Sequence, residues 1–141
     1  KAFSSETHAD SSLADRPSAR RIANSVTRSL DVTTALTRKP IDAALPALCD
    51  ALATRDAVVL EAPPGAGKST VVPLVLAAQP WARDQRILML EPRRLAARAV
   101  AGRLAQTLRE PVGETVGYRM RLETRVGPRT RIEAITEGVE L

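Results

Sequence analysis

The spacing of apolar residues changes several times along the chain, and each change predicts a different element. Apolar residues recur every three or four positions over Pro40–Ala53, which predicts a helix. The short apolar run Asp56–Glu61 predicts a strand, and Thr70–Ala78 predicts a second helix with Pro73 near its start. A missing amide is tolerated near the start of a helix, so we expect Pro73 to kink this helix without breaking it.

A second set of elements follows a polar turn at Gln79–Gln85. Arg86–Glu91 is apolar without alternation, which predicts a buried strand in a parallel sheet covered on both faces. Leu95–Arg109 predicts a long helix, and Thr115–Leu122 and Arg131–Thr136 predict two further strands. The residues expected to form the buried stripe of this helix are Leu95, Val100, Leu104 and Leu108.

The alternation of strands and helices predicts an α/β fold with a mostly parallel sheet flanked by helices. In such sheets, ligands bind beyond the carboxyl ends of the strands. Glu61, Glu91 and Thr136 end three of the predicted strands, and each is followed by a loop that contains Pro or Gly. We therefore expect the functional residues to lie along this edge of the sheet.

Residues 1–37 differ from the rest of the chain because they are dense in Ser and Thr and contain no Gly. This composition predicts a weakly structured N-terminal extension, and we expect the folded domain to occupy residues 38–141. An organelle transit peptide is the alternative interpretation of the extension. The acidic residues in this segment are atypical of such peptides.

The composition excludes several classes of function. Aromatic residues make up only 2% of the chain, so stacking of nucleobases on aromatic side chains is not expected. The single Cys excludes a disulfide framework. The single His, His8, lies in the polar N-terminal segment, so neither a His-based metal site nor a Ser-His triad is expected. No apolar run approaches the roughly 20 residues of a membrane span. The net charge of +5, carried mostly by Arg, permits a polyanionic partner.

The stretch E-A-P-P-G-A-G-K-S-T at Glu61–Thr70 has the composition of a phosphate-binding loop. Gly65 and Gly67 allow the backbone to turn several N–H groups toward one anion. Lys68 supplies positive charge for the β- and γ-phosphates of a nucleotide, and the Ser69 hydroxyl suits Mg²⁺. A strand before the loop and a helix after it are typical of a nucleotide site. The alternative is a Gly-rich turn without function.

Two further stretches place polar groups at the same expected edge. Arg93 and Arg94 lie where a strand turns into a helix, and positive charge is unfavourable at a helix N-terminus unless an anion binds there. Residues 115–131 contain five Arg and one acid. Thr136 and the backbone near Gly138 can donate hydrogen bonds to a strand phosphate, a contact that reads no sequence. Taken singly, each stretch is explained equally well by a solvated basic surface.

Together, these stretches resemble the motifs of superfamily 2 helicases. Within that superfamily the DEAH-box group is the most similar, and in particular its bacterial HrpB-type members. The resemblance also accounts for Ala62 at the first position of the phosphate loop, where the general pattern has Gly. The motifs that carry the resemblance are A-P-P-G-A-G-K-S-T at Ala62–Thr70, E-P-R-R-L-A-A-R at Glu91–Arg98, V-G-Y-R-M-R at Val116–Arg121 and T-E-G-V at Thr136–Val139.

The resemblance implies the first RecA-like P-loop domain of a cytoplasmic, ATP-dependent helicase, incomplete at its C-terminus. ATP and Mg²⁺ are the implied cofactors, and Lys68 and Ser69 are the implied catalytic residues, with Ser69 as the Mg²⁺ ligand. RNA is the implied partner, DNA the alternative, and no membrane is involved. The implied nucleotide-binding residues are Ala62, Pro63, Pro64, Gly65, Ala66, Gly67, Lys68, Ser69, Thr70 and Arg103, the last stacking on adenine. The implied nucleic-acid-binding residues are Pro92, Arg93, Arg94, Thr136, Glu137 and Gly138.

The sequence also departs from the family pattern. No Asp-Glu-x-His follows the phosphate loop, and no second RecA-like domain follows the first. We therefore expect this chain alone to bind ATP without hydrolysing it. Two alternatives stay open: a P-loop ATPase or kinase that is not a helicase, and a nucleic-acid-binding fragment without catalysis.

Overall fold

The structure is a computed structural model that describes residues 40–139. The extension expected at residues 1–37 lies outside the described residues. A 3₁₀ turn at Asp42–Ala44 leads into the first helix, and another at Pro80–Ala82 precedes the first strand. The helices are α1 (Leu45–Thr54), α2 (Lys68–Ala77) and α3 (Arg94–Leu108). The strands are β1 (Ile87–Glu91), β2 (Val116–Met120), β3 (Glu123–Arg125) and β4 (Ile132–Thr136).

The strands form one sheet in the order β1-β4-β2-β3. β4 pairs in parallel with β1 on one side and with β2 on the other, and β3 pairs antiparallel with β2. The predicted α/β fold with a mostly parallel sheet flanked by helices is therefore confirmed. Within residues 40–139, no helix combines the length and the apolarity that crossing a membrane requires.

The main core lies between α2 and α3 and one face of the sheet. Leu104 of α3 and Ile132 of β4 are fully buried within it. Aliphatic residues and alanines dominate, so the helices approach the sheet closely. A second cluster joins α1 to the phosphate loop through Ile41, Leu45, Ala66 and Val75. The loop is thus anchored to the body of the domain by a buried side chain of its own, Ala66.

Two predictions about the strands are wrong. Residues 57–63 have no regular secondary structure, and Val59 is 88% exposed. A strand needs a neighbour for its backbone hydrogen bonds, and no described strand pairs with this segment. β1 alternates between half-buried and exposed residues, with Leu90 65% exposed, because helices cover only one face of this edge strand.

Two details of the helices also differ from expectation. Val100, Leu104 and Leu108 form part of the buried stripe of α3, but Leu95 is 79% exposed. The stripe runs through Ala97, Ala101, Leu104 and Leu108, and Leu95 lies off that line on the helix. Pro73 is the sixth residue of α2 rather than a residue of its first turn, and the helix continues through it unbroken, as predicted.

Candidate nucleotide and nucleic-acid site

The loop before α2 turns through two glycines with positive φ. Gly65 has φ 78° and Gly67, the residue that precedes α2, has φ 105°. Side chains other than hydrogen are disfavoured in this region, so the two positions call for Gly. Between them, the Ala66 amide donates to the Pro63 carbonyl at 3.1 Å, and the Ala66 side chain is buried. The loop therefore has a defined shape rather than an open one.

The N-terminus of α2 presents unpaired amides to this loop. No side chain caps the helix, and the Gly67 carbonyl accepts from the amide of Val71 at 2.8 Å. The amides of Lys68 and Ser69 come too early in the helix to have an acceptor within it. With the helix dipole, they make the end of the loop electropositive, which suits an anion.

Lys68 and Ser69 are both exposed at this helix end. The Lys68 ammonium donates a hydrogen bond to the carbonyl oxygen of Ala62, at the other end of the loop. Backbone amides, an ammonium and a hydroxyl are the donor set that a polyphosphate and its Mg²⁺ need. Among the described residues, no group of three or more His, Cys, Asp or Glu is placed to hold a metal ion.

A separate cavity of about 460 Å³ lies at the carboxyl ends of the strands. Three segments converge on it: the start of α3, the turn after β2 and the end of β4. Two arginines bring positive charge to a cavity that also has apolar walls. The residues that line it are Pro92, Arg94, Arg121, Leu122, Thr136 and Glu137.

The register of the sheet explains why these segments meet. Glu91 and Thr136 are partners at the end of the parallel pair β1–β4, so Pro92 and Glu137 leave the sheet side by side. β2 runs parallel to β4, with Arg119 opposite Ile135, so its following turn emerges at the same edge. Four residues predicted for nucleic-acid binding thus line one cavity. Thr136, one of the four, is 8% exposed.

Three other predicted residues do not line this cavity. Arg93 precedes α3 in an extended conformation, with φ −135° and ψ 140°, and its side chain does not cap the helix. Gly138 follows the lining residues with φ 76°, a conformation that favours Gly. Arg103 is exposed on α3, nine residues after Arg94, or roughly 13 Å further along the helix axis.

The sequence predictions did not assign Arg121 and Leu122 to the site. They are the two central residues of a tight turn between β2 and β3, with Met120 paired to Glu123. Two-residue hairpin turns usually show Gly, Asn or Asp, and this one has none. The motif V-G-Y-R-M-R pointed to the segment, but no residue pattern marked the turn.

A hydrogen-bonded group joins this hairpin to α3. The Tyr118 hydroxyl donates to Oε1 of Glu123, and the Arg98 guanidinium donates to its Oε2. The bond from Tyr118, followed by that from Arg98, lowers the pKa of Glu123 below its ordinary value. The same bond, followed by burial, raises the pKa of Tyr118. Glu123 is thus a carboxylate held between two donors at neutral pH.

A second acidic residue ties the strands together on the opposite face of the sheet. Glu133 of β4 is 1% exposed and accepts from Arg86 at 2.9 Å and from Arg119 at 2.7 Å. These bonds link the start of β1, the middle of β4 and β2. Glu133 therefore supports the sheet whose edge carries the cavity, without lining the cavity itself.

Comparison with known proteins agrees with this fold. The chain is 57% identical over 100 residues to the ATP-dependent RNA helicase HrpB of Escherichia coli (strain K12), an alignment of 71% of this chain and 12% of that protein. It is 39% identical over 90 residues to the ATP-dependent RNA helicase DHX33 of Drosophila melanogaster, covering 64% of this chain and 13% of that one. No protein-family model matches the chain.

A solved structure shares both sequence and fold with the chain. The crystal structure of the E. coli DExH-box NTPase HrpB superposes with a TM-score of 0.70 and 54% identity, over 73% of this chain and 13% of that one. The chain thus spans about an eighth of the length of these relatives. The resemblance predicted from the motifs is confirmed: by sequence identity and by fold, this chain groups with the HrpB-type helicases of the DEAH-box group.

Proposed function

We propose that the intact protein is an ATP-dependent RNA helicase of the cytoplasm, and that residues 40–139 bind the phosphates of ATP and one nucleic-acid strand. The observation that carries the proposal is the cavity at the sheet edge. Arg94, Arg121 and Thr136 come from three separate segments, each containing a helicase-like motif, and all of them line it. A basic surface formed by chance has no reason to bring these three motifs together.

At the nucleotide site, Lys68 and the amides at the start of α2 bind the β- and γ-phosphates. Lys68 leaves the Ala62 carbonyl for a phosphate oxygen, a charge-assisted bond that is stronger than a neutral one. Ser69 would hold Mg²⁺ through its hydroxyl, and the ion would neutralise charge on the phosphates. The loop residues Ala62–Thr70 shape the pocket, and Arg103 stacks on the adenine.

At the cavity, Arg94 and Arg121 bind phosphates of the strand, and the Thr136 hydroxyl donates one further hydrogen bond. The backbone around Pro92, Arg93, Glu137 and Gly138 completes the contact. Such contacts fix the position of a strand without reading its bases, so binding is independent of sequence. RNA is the proposed strand because the relatives are named RNA helicases.

Hydrolysis requires groups beyond those described. Water attack on the γ-phosphate needs carboxylates that bind Mg²⁺ and arginines that stabilise the charge that develops. No Asp-Glu-x-His follows the phosphate loop in this sequence to supply such carboxylates. We therefore propose that residues 40–139 contribute nucleotide binding and strand binding, and that other parts of the intact protein complete the hydrolytic site.

The proposal is tested by RNA-stimulated ATPase activity of the intact protein. We expect single-stranded RNA to stimulate ATP hydrolysis, and Lys68→Ala to abolish both ATP binding and hydrolysis. Arg83→Ala is the matched control, because Arg83 is an exposed cation in a turn remote from both sites. Hydrolysis that no polynucleotide stimulates would instead favour a P-loop ATPase or kinase that is not a helicase.

A second measurement tests the cavity. Arg94→Ala should weaken binding of a labelled single-stranded RNA and lower the slope of log K against log salt by about 1, as expected for one lost phosphate contact. Arg83→Ala again serves as control. If both variants weaken RNA binding equally, the protein binds RNA by nonspecific charge, and the cavity is not the binding site.

A further inference from the structure

The turn that carries Arg121 and Leu122 is not of the type that usually closes a two-residue hairpin. Such hairpins favour turns with positive φ at the first central residue, because these turns match the twist of the strands. Among the described residues other than Gly, positive φ occurs at Arg109, and not at either residue of this turn. The turn therefore matches the twist of its two strands less well than the usual hairpin turns do.

The hairpin is held in the sheet on one side only, because β2 also pairs with β4 whereas β3 pairs with β2 alone among the described strands. β3 has only three residues and lies at the edge of the sheet. A three-residue edge strand adds few backbone hydrogen bonds of its own. Side-chain contacts with other elements therefore help to fix β3 and the turn before it.

Glu123, the first residue after the turn, makes such contacts. Its carboxylate accepts from Arg98 on α3 and from Tyr118 on β2. Tyr118 is 4% exposed within the main core, so it gives the carboxylate a rigid partner. Through this residue the hairpin is joined both to the core and to the helix that bears Arg94.

The groove between α3 and the hairpin lies beside these bonds. It has a volume of about 360 Å³ and is lined by Arg94, Leu95, Arg98 and Met120. Arg94 lines this groove and also the 460 Å³ cavity described above, called here the strand cavity because it is the proposed site of the nucleic-acid strand. The Glu123–Arg98 ion pair therefore bridges α3 and the hairpin directly beside the proposed strand site.

From this arrangement we infer that Glu123 is a positioning residue for nucleic-acid binding: it holds the Arg121–Leu122 turn at the strand cavity by joining the hairpin to α3. The inference rests on the proposed function of that cavity. Glu123 does not line the cavity, and it acts through Arg121.

Simple electrostatics predicts the opposite effect for removal of this carboxylate. A negative charge beside a cavity with two arginines repels a polyanion, so its removal should tighten RNA binding. If Glu123 positions Arg121, its removal should weaken RNA binding instead. The sign of the change therefore separates positioning from charge alone.

The test is binding of a fluorescein-labelled single-stranded RNA to the intact protein and to its Glu123→Gln variant. We expect the dissociation constant to rise by about five- to tenfold, and the salt slope to fall by about 1, as for loss of one phosphate contact. In an Arg121→Ala background, Glu123→Gln should add no further loss. An unchanged or lower dissociation constant for Glu123→Gln would overturn the inference.

Glu114→Gln is the matched control. Glu114 is bonded to Arg129, and the side chains of this pair are 37% and 59% exposed, against 35% and 54% for Glu123 and Arg98. Glu114 precedes β2 and lies near the amino end of that strand, whereas the cavity lies at the carboxyl ends of the strands. Its removal deletes the same charge and the same kind of ion pair, and should leave RNA binding unchanged or slightly tighter.

Further variants separate a failed inference from a failed proposal. Tyr118→Phe keeps the carboxylate and removes one of its two donors, so it should weaken RNA binding less than Glu123→Gln does, and it provides the test if that variant unfolds. If Arg94→Ala and Arg121→Ala weaken RNA binding but Glu123→Gln and Tyr118→Phe do not, the positioning role alone is wrong. If Arg94→Ala and Arg121→Ala also have no effect, the strand site itself is wrong.

Discussion

Glu91 and Thr136 are register partners at the last position of the parallel pair β1–β4. Their pairing sets the two segments that follow, at Pro92 and Glu137, next to one another on the lip of the cavity. Residues 45 positions apart in sequence are thereby brought to one ligand site by backbone hydrogen bonds alone. The pairing of the strands, and not any one side chain, thus sets the position of the proposed nucleic-acid site.

Thr136 should bind RNA through its hydroxyl. Thr136→Val keeps the shape of the side chain and its β-branched preference for strand β4, so folding should be preserved. The variant loses one hydrogen bond to the RNA. We expect RNA binding to weaken by about 1 kcal/mol, or roughly fivefold in dissociation constant. Thr124→Val, on the exposed strand β3, is the control. Equal effects of the two variants would argue against a contact at Thr136.

Gly117 should not tolerate a side chain. A Cβ at this position would lie 2.4 Å from the Arg125 carbonyl oxygen and 2.9 Å from a methyl of Val126, and the first of these is backbone. We expect Gly117→Ala to lower the free energy of unfolding by about 1–3 kcal/mol, measured by urea denaturation.

Gly102 provides the matched comparison for Gly117. A Cβ there would meet nothing within 4 Å, and the residue lies in the interior of α3. Gly102→Ala should raise stability by about 0.5–1 kcal/mol, because Ala is the better helix former. A loss of stability at Gly102 comparable to that at Gly117 would contradict this account of the packing.

Glu133 should stabilise the sheet through its two arginines. Glu133→Gln leaves Arg86 and Arg119 without their shared carboxylate, in a place where the acid is 1% exposed. We expect a loss of about 1–3 kcal/mol in stability, less than for a fully buried pair because both arginines reach solvent. Glu114→Gln, which removes an exposed pair, should cost at most about 1 kcal/mol. Equal losses would mean that burial of Glu133 adds nothing.

Glu123 should titrate below the ordinary range for Glu. Its bond from Tyr118 is the first cause of its lowered pKa, so Tyr118→Phe should move the midpoint of the Glu123 carboxyl ¹³C shift to higher pH. A group with a lowered folded pKa stabilises the fold above its unfolded pKa, and this contribution disappears as pH falls through the folded pKa. The stability difference between wild type and Glu123→Gln should accordingly be present at neutral pH and vanish well below pH 4.5. A midpoint that Tyr118→Phe leaves unchanged would contradict the bond.

Much of the fold could be predicted because its signals are local. Helical periodicity and the turn residues between elements identify α1, α2 and α3, and the apolar runs identify β1 and β4. The prediction of a strand at Asp56–Glu61 is wrong because β structure depends on a pairing partner elsewhere in the fold, which a local pattern cannot show. The prediction that Leu95 is buried is wrong because the buried stripe of α3 runs through Ala97 and Ala101 instead.

The candidate site could be predicted where residue type dictates chemistry. Gly65, Gly67 and Lys68 need no partner from a distant segment to indicate a phosphate loop. Arg121 and Leu122 could not be assigned, because their role depends on the turn that places them, and that turn lacks the usual residues. Side chains that are brought together by strand register, or by bonds such as those of Glu123, cannot be identified from the sequence alone.

The in-register sheet has a mechanical consequence for the strand site. Pro92 directly follows β1 and Thr136 ends β4, and these two strands are paired, so the positions of the two residues are fixed relative to one another. The Arg121–Leu122 turn is attached to these residues through β2 and through the ion pair between Glu123 and Arg98. Arg121 and Leu122 are therefore the lining residues whose position can change without breaking the pairing of β1 with β4.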